Sequence, residues 1–189
     1  MEFYHIARGE VKAAKAIAKA AGVSEHRIAS LPELKELGDM RGVRLVGWPP
    51  TYIPQRNTIF YGIAASYAEE VGADAIIGGH NKEDLLIFED TSDEYFERLQ
   101  EAIWAASGAL RARKTVILRP MRNRTKPEVI RYAAALGVPL ELTWSCHGEG
   151  VAHCWNCDGC RSRTANFSLA GVKDPLVKGT RSGGTVRKS

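Results

Sequence analysis

The chain has 189 residues, 44% hydrophobic and 25% charged, with a formal net charge of +4. That length suits one full-sized domain, and the composition is that of an ordinary globular protein with a sizeable core. No stretch stays apolar for the ~20 residues needed to cross a bilayer, and the first residues carry no secretory pattern, so the expected compartment is the cytoplasm.

Along the chain, Val11, Ala14, Ile17, Ala18 and Ala21 recur at helical spacing between Gly9 and Gly22. They predict an amphipathic helix whose other face carries Lys12, Lys15 and Lys19. "HRIASL" (26–31) reads as a short strand, and residues 32–55 read as irregular, with "PPTYIP" as a breaker. "RNTIFYGIAASYAEEVG" predicts a second helix closing on Gly72, and "ADAIIGG" after it reads as a buried parallel strand. The polar loop "HNKEDLLIFEDTS" follows, and Asp93 is placed to cap a helix through "EYFERLQEAIWAAS". "KTVILRP" reads as the next strand. In "TKPE", Thr125 at the N-cap and Glu128 three positions on form a capping-box pattern, with Pro127 where its missing N–H costs little. That helix should end at Gly137, and "PLELTW" reads as a strand leading into the cysteines. Helices alternating with short apolar strands predict an α/β fold with a largely parallel sheet. Ligands of such sheets sit beyond the carboxyl ends of the strands, which singles out the segments after Ile77, Leu118 and Trp144.

All four cysteines, Cys146, Cys154, Cys157 and Cys160, fall within "SCHGEGVAHCWNCDGCRSR" (145–163). Disulfides need an oxidising compartment to which nothing directs this chain. Three cysteines in C-x-x-C-x-x-C spacing, with a fourth across a short loop, match the four thiolates of a closed structural zinc site. Gly148, Gly150 and Gly159 supply the tight backbone such a knuckle needs, and His147 and His153 are not required as ligands. An iron–sulfur cluster is the competing occupant, and the nearness of the fourth cysteine favours zinc. Basic residues crowd in "LRPMRNRTK" (Arg119, Arg122, Arg124, Lys126) and in the tail "VKGTRSGGTVRKS", which permits contact with phosphates or acidic substrates. Residues 176–189 are expected to be a flexible basic end.

"GVPLELTWSC", the cysteine spacing after it, and "GCRSRTANFSLAGVKDP" resemble the C-terminal part of the 7-cyano-7-deazaguanine synthase family. There, a Thr-Trp-Ser-Cys motif leads into a four-cysteine zinc site and a helix closing on Ala-Gly and Asp-Pro. "TYIPQRNTIFYGIAASYAEEVGADAIIGG" resembles the family's Pro-x-Arg-Asn helix start and following strand, and "RPMRNRTKPEVIRYAAALGVP" its Pro-to-Thr-Lys-x-Glu segment. The similarity runs from about Gly9 to Pro175 in three motifs of matching order. It implies an adenine-nucleotide α-hydrolase-like, Rossmann-like domain of the PP-loop group over residues 1–175, including the zinc site at 146–160. The implied reaction turns 7-carboxy-7-deazaguanine, ammonia and ATP into the nitrile used for queuosine or archaeosine in transfer RNA. A carboxylate is activated as its adenylate, ammonia forms the amide, and the amide is activated and dehydrated, with magnesium as ATP's partner ion. By the same resemblance Cys146, Cys154, Cys157 and Cys160 match the metal ligands. Arg56 and Asn57 match the Pro-x-Arg-Asn motif, Asp84 and Asp90 fall among the family's loop acids, and Lys126 matches the Thr-Lys-x-Glu lysine; these five are candidates for substrate, magnesium or phosphate contact.

The details of "HNKEDLLIFED" differ from the family's pattern, and the largest departure lies at the front. PP-loop enzymes carry a Ser-Gly-Gly-x-Asp-Ser loop that cradles the ATP phosphates, and here only Ser182, Gly183 and Gly184 resemble it, with Val186 in place of the aspartate. An N-terminally incomplete domain is therefore expected: a fragment or late-start reading of a normal enzyme, one half of a split enzyme whose partner carries the phosphate loop, or a remnant kept for binding alone. The exposed sheet edge favours a partner or a homo-oligomer. Two other readings stay open: a PP-loop enzyme thiolating transfer RNA with an iron–sulfur cluster, and a non-catalytic, zinc-stapled nucleic-acid-binding module. Direct nucleic-acid binding is not expected on the leading reading.

Overall fold

The computed structural model describes residues 8–31, 34, 53–148 and 150–177. These fall into two compact units, one drawn from Arg27–Val129 and the other from Ile6–His26 and Ile130–Ser189. No helix among the described residues is long and apolar enough to cross a membrane.

In the first unit, helix α2 (Arg56–Val71) ends where Gly72 adopts φ 66°, a left-handed turn that returns its N–H to the carbonyls of Ala68 and Glu69. The chain then enters strand β1 (Ala75–Ile77), which pairs in parallel with β2 (Val116–Leu118), Ala75 opposite Val116 and Ile77 opposite Leu118. Between the strands lie α3 (Lys82–Leu85), a 3-10 turn (Glu89–Thr91), α4 (Asp93–Ala106) and α5 (Gly108–Arg113). Tyr61, Ala65 and Ala68 of α2, Ile76 of β1, Phe96 and Ile103 of α4 and Leu110 of α5 form the core. The free side of β2 is bonded by a side chain: Ile117 N–H donates to Gln100 Oε1 (2.6 Å), and Gln100 Nε2 donates to the Thr115 carbonyl (3.0 Å). Trp104 Nε1 reaches the same carbonyl (2.7 Å), so these strand groups are satisfied without a third strand.

The second unit holds α1 (Arg8–Ala20), the C-terminal part of α6 (Lys126–Ala135), a 3-10 turn (Leu140–Leu142) and α7 (Asp158–Ala170). Gly9 is buried against the Trp144 ring, and a Cβ there would overlap the indole. Arg163 and Asp174, both buried, lock α7 to the chain after it through paired bonds of 2.7 and 2.8 Å.

Several expectations are corrected. "PLELTW" is not a strand but a 3-10 turn: the Leu140 carbonyl accepts from Thr143 N and Oγ1 and from Arg163, leaving it nothing to offer a ladder. "HRIASL" forms no strand among the described residues beyond a single bridge at Ser30. The polar loop after β1 contains α3, because Asn81 accepts from Glu83 N–H while Asp84 accepts from Asn81 N–H. Ser92, not Asp93, caps α4, its hydroxyl accepting from Tyr95 N–H at 3.1 Å. At Thr125 half of the box forms: Glu128 accepts from Thr125 N–H at 2.7 Å, but the threonine hydroxyl donates to the same carboxylate. Most of the irregular 32–55 segment and the basic tail, with Ser182, Gly183, Gly184 and Val186, lie outside the described residues.

Candidate metal centre and ligand rim

The candidate metal centre belongs to the second unit. The 3-10 turn delivers Trp144, Ser145 and Cys146, and α7 begins at Cys157, its N-cap, and carries Cys160 in the first turn. The four sulfurs lie within 4.8 Å of one another, with Cys146–Cys157 at 3.9 Å and Cys154–Cys160 at 4.0 Å. Four thiolates ~2.3 Å from a central ion stand ~3.8 Å apart in a tetrahedron; the cluster has that size. All four are free thiols. Backbone amides converge on the sulfurs: His147 N–H on Cys157 (3.3 Å), Gly148 and Cys154 N–H on Cys146 (3.3 and 3.4 Å), and Cys157 N–H on Cys154 (3.4 Å). Such donors favour thiolate over thiol. The His147 amide is the main reason Cys157 is held down at about 6. The amides of Asn156 and Cys157 lower Cys154, whereas burial pushes Cys160 up to about 12. The arrangement can hold one metal ion with every position taken by sulfur, and so leaves none for a reactant.

Three supports surround the centre. Gly159 must be glycine, because a Cβ would strike the Ser145 carbonyl and press the His147 ring. His153 does not turn to the sulfurs: its Nε2 accepts from Ser145 N–H at 3.2 Å and its ring lies between Trp144 and Trp155, 4.3 and 5.2 Å away. Trp144 Nε1 donates to the Cys146 carbonyl at 2.7 Å.

The second site lies in the first unit at the carboxyl end of β1. Here the chain runs through Gly78 and Gly79 to His80, whose Nε2 is 3.1 Å from the Tyr61 hydroxyl, with the two rings stacked at 5.9 Å and 21°. Gly78 is required, since a Cβ would collide with that hydroxyl. Phe96 packs 5.0 Å from Tyr61 and 5.1 Å from His80. Burial pushes Tyr61 up to about 12, and burial holds His80 below its ordinary value. Asp84 and Asp90 pull His80 back up, and Arg119 and Arg56 oppose them. Arg56, Asp84 and Asp90, singled out in the sequence, are therefore neighbours of one imidazole. Asn57, beside Arg56 in α2, donates to the Asp90 carbonyl at 3.2 Å. Asp84 also spends one carboxylate oxygen on Asn81 N–H at 2.9 Å.

The arginine loop behaves less uniformly than its composition implies. Arg119 is inward, 4.2 Å over the Phe96 ring and 2.6 Å from Asp93, while Arg122 is exposed, 3.4 Å from the same carboxylate. Lys126 opens α6, and its N–H donates to both oxygens of Glu83 (2.9 and 3.2 Å), so a carboxylate of the chain occupies that helix N-terminus. Lys82, Leu85, Leu86, Arg122 and Asn123 line a shallow cavity of about 410 Å³. The sequence reading missed His80, Tyr61 and Glu83; the signal for His80 was its place directly after a strand and two glycines.

The sequence profile of one family, described as queuosine biosynthesis protein QueC, matches residues 2–171. The chain is 36% identical over 178 residues to the 7-cyano-7-deazaguanine synthase of Oceanobacillus iheyensis, covering 88% of this chain and 79% of that protein. To the 7-cyano-7-deazaguanine synthase of Nostoc punctiforme it is 34% identical over 188 residues, covering 90% and 82%. A Sulfurovum protein of the same name is 42% identical over 131 residues, covering 69% of this chain and 58% of that one.

Proposed function

This chain belongs to the family of queuosine biosynthesis protein QueC, and from that premise we propose that it works as a 7-cyano-7-deazaguanine synthase, or as the C-terminal portion of one. The reaction converts 7-carboxy-7-deazaguanine and ammonia to the nitrile with ATP. The observation that carries this reading is the match through residues 2–171, which takes in the Pro-x-Arg-Asn helix start, the β1 rim and all four cysteines. The residues perform separate jobs. Cys146, Cys154, Cys157 and Cys160 hold zinc as a structural staple, supported by their tetrahedral spacing and the amides around them. The rim carries the chemistry. Arg56 and Asn57 contact substrate, Asp84 and Asp90 offer oxygen ligands to substrate amines or magnesium, and Lys126 supplies its ammonium to phosphate, its backbone amide being taken by Glu83. A cytoplasmic setting, and either a partner subunit that brings a phosphate loop or a homo-oligomer, belong to the same proposal.

Two measurements test it. Metal analysis with visible absorbance of anaerobically purified protein should give about one zinc per chain and no band near roughly 400 nm; iron with sulfide and a broad band would move the reading to sulfur transfer. Incubation with 7-carboxy-7-deazaguanine, ATP, magnesium and ammonium should yield the nitrile by mass spectrometry. No binding of the carboxylated base, with or without a phosphate-loop partner, would end the proposal.

A further inference from the structure

We propose that His80 touches the substrate, its ring N–H on the side away from Tyr61 donating to an oxygen of the carboxyl group that becomes activated. The inference rests on the deazaguanine reading and adds to it a residue that the three motifs do not contain.

The chain of observations starts from Tyr61. Burial keeps its phenol protonated far above neutrality, and the one partner its hydroxyl has among the described residues is Nε2 of His80 at 3.1 Å. A buried hydroxyl that keeps its proton donates it to the acceptor at hand. Nε2 therefore takes the lone-pair role, and the proton of the neutral imidazole sits on Nδ1. His80 is neutral at pH 7, because burial outweighs the pull of Asp84 and Asp90 while Arg119 and Arg56 push the same way as burial. The tautomer is set by the hydrogen bond the other nitrogen makes.

Nδ1 has no partner among the described residues. Nor is it sealed inside: the one buried side-chain polar atom lacking a partner there is Ser145 Oγ, in the other unit. His80 thus presents a single N–H donor to the rim beyond β1, where the ligands of parallel sheets sit. It is held in place by Tyr61 stacked on it, by Phe96 packed against it and by a Gly78 that no larger residue can replace without striking Tyr61. An N–H donor without charge suits an oxygen that changes charge during reaction. It bonds the carboxylate on binding. When ammonia's lone pair forms the new C–N bond to the adenylated carbonyl, the carbonyl π pair moves onto oxygen, and the same N–H stabilises that oxyanion. The pair then returns as the C–O bond to AMP breaks, AMP leaving with its electrons and the nitrogen giving a proton to water.

Calorimetry of the full chain with two ligands, 7-carboxy-7-deazaguanine and 7-deazaguanine, tests this against a merely structural role. His80→Asn keeps an amide N–H near the position of Nδ1, whereas His80→Gln moves its amide toward the Nε2 side and His80→Ala has none. We expect His80→Ala and His80→Gln to weaken the carboxylated ligand about 10-fold, the scale of one hydrogen bond to a charged group, with His80→Asn within about 3-fold of wild type and all four proteins alike toward 7-deazaguanine. Equal weakening of both ligands, or His80→Asn as poor as His80→Gln, overturns the inference and leaves the proposed function intact. If His80→Ala does not fold, the Asn–Gln pair decides. Failure of wild type to bind either ligand overturns the functional reading, and His80's role with it.

Discussion

At the scale of single residues, the buried pair Arg163–Asp174 is the most consequential contact outside the sites. Arg163 uses its whole guanidinium: Nε and Nη2 on the Asp174 carboxylate, Nη1 on the Thr143 hydroxyl at 2.7 Å, Nη2 also toward the Leu140 carbonyl, and its plane 4.6 Å over Phe167. It therefore fixes the segment that delivers Cys146. Arg163→Ala leaves a buried carboxylate unpaired and should cost about 3–5 kcal/mol, read by urea unfolding; a loss below about 1 kcal/mol, the range of exposed pairs, would show that the pair is not sealed from water. The carboxylate also sets a pH dependence. Burial alone would raise Asp174, but the hydrogen bonds from Arg163 and from Leu176 N–H hold it below its ordinary value. Stability from this group is fully present above the unfolded-state value of ~3.9 and is lost as pH falls through the lower folded value. Asp174→Asn should lose stability at pH 7, and its difference from wild type should shrink as pH drops below ~4. A difference that stays constant down to pH 2 would mean the carboxylate is not what the arginine holds.

At the scale of elements, glycines decide which segments approach one another. Gly159 lets the first turn of α7 lie against the Ser145 carbonyl, so Gly159→Ala must push Cys157 and Cys160 away from Cys146. We expect metal affinity to fall about 10- to 100-fold, as when outer-shell supports are lost, measured by competition with a chromophoric chelator. Gly62, in the middle of α2 with open space around it, gives the opposite result: Gly62→Ala should stabilise by about 0.5–1 kcal/mol through helix propensity alone, seen as a raised Tm. The same local rules explain which elements the sequence revealed. α1, α2, α4 and α6 were legible because periodic apolar residues meet a glycine stop or a polar cap, and β1 and β2 because short β-branched runs stand between them. "PLELTW" looked like a strand because its apolar residues alternate, but its carbonyls are taken by Thr143 within the segment and by Arg163, some 20 positions on in the chain. α3 was hidden in a polar loop because a four-residue helix has no period to detect and rests on the Asn81–Asp84 box. The cysteine centre was readable from spacing alone. His80 was not, since its donor role depends on Tyr61, 19 residues earlier.

At the scale of the whole molecule, the family match runs through both units, yet the two are stabilised by different means. The first buries seven clustered residues, among them Tyr61, Phe96, Ile103 and Leu110, around a parallel strand pair whose outer β2 amide, Ile117 N–H, is bonded to Gln100. Among its described residues the second buries little that is apolar. Cys146, Cys160, Phe167 and Ala170 stand beside the charged Arg163 and Asp174, and a small apolar set of that kind rarely holds a fold without a staple. A metal held by the four cysteines would then be folding energy for the second unit, while the first should open only with loss of its own core. Hydrogen exchange followed by mass spectrometry, with and without a strong chelator, separates the two. After chelation the amides of Ser145, Cys146 and α7 should exchange at least about tenfold faster, the least expected when a metal-linked 1.4 kcal/mol is removed. Ile76, Ile117 and the α4 amides should keep their protection. Acid should act in the same direction as the chelator, because the ligands bind as thiolates and protonation competes with the ion. Equal acceleration across β1, β2 and α7 would show instead that the chain opens as one cooperative body and that the centre stabilises all of it.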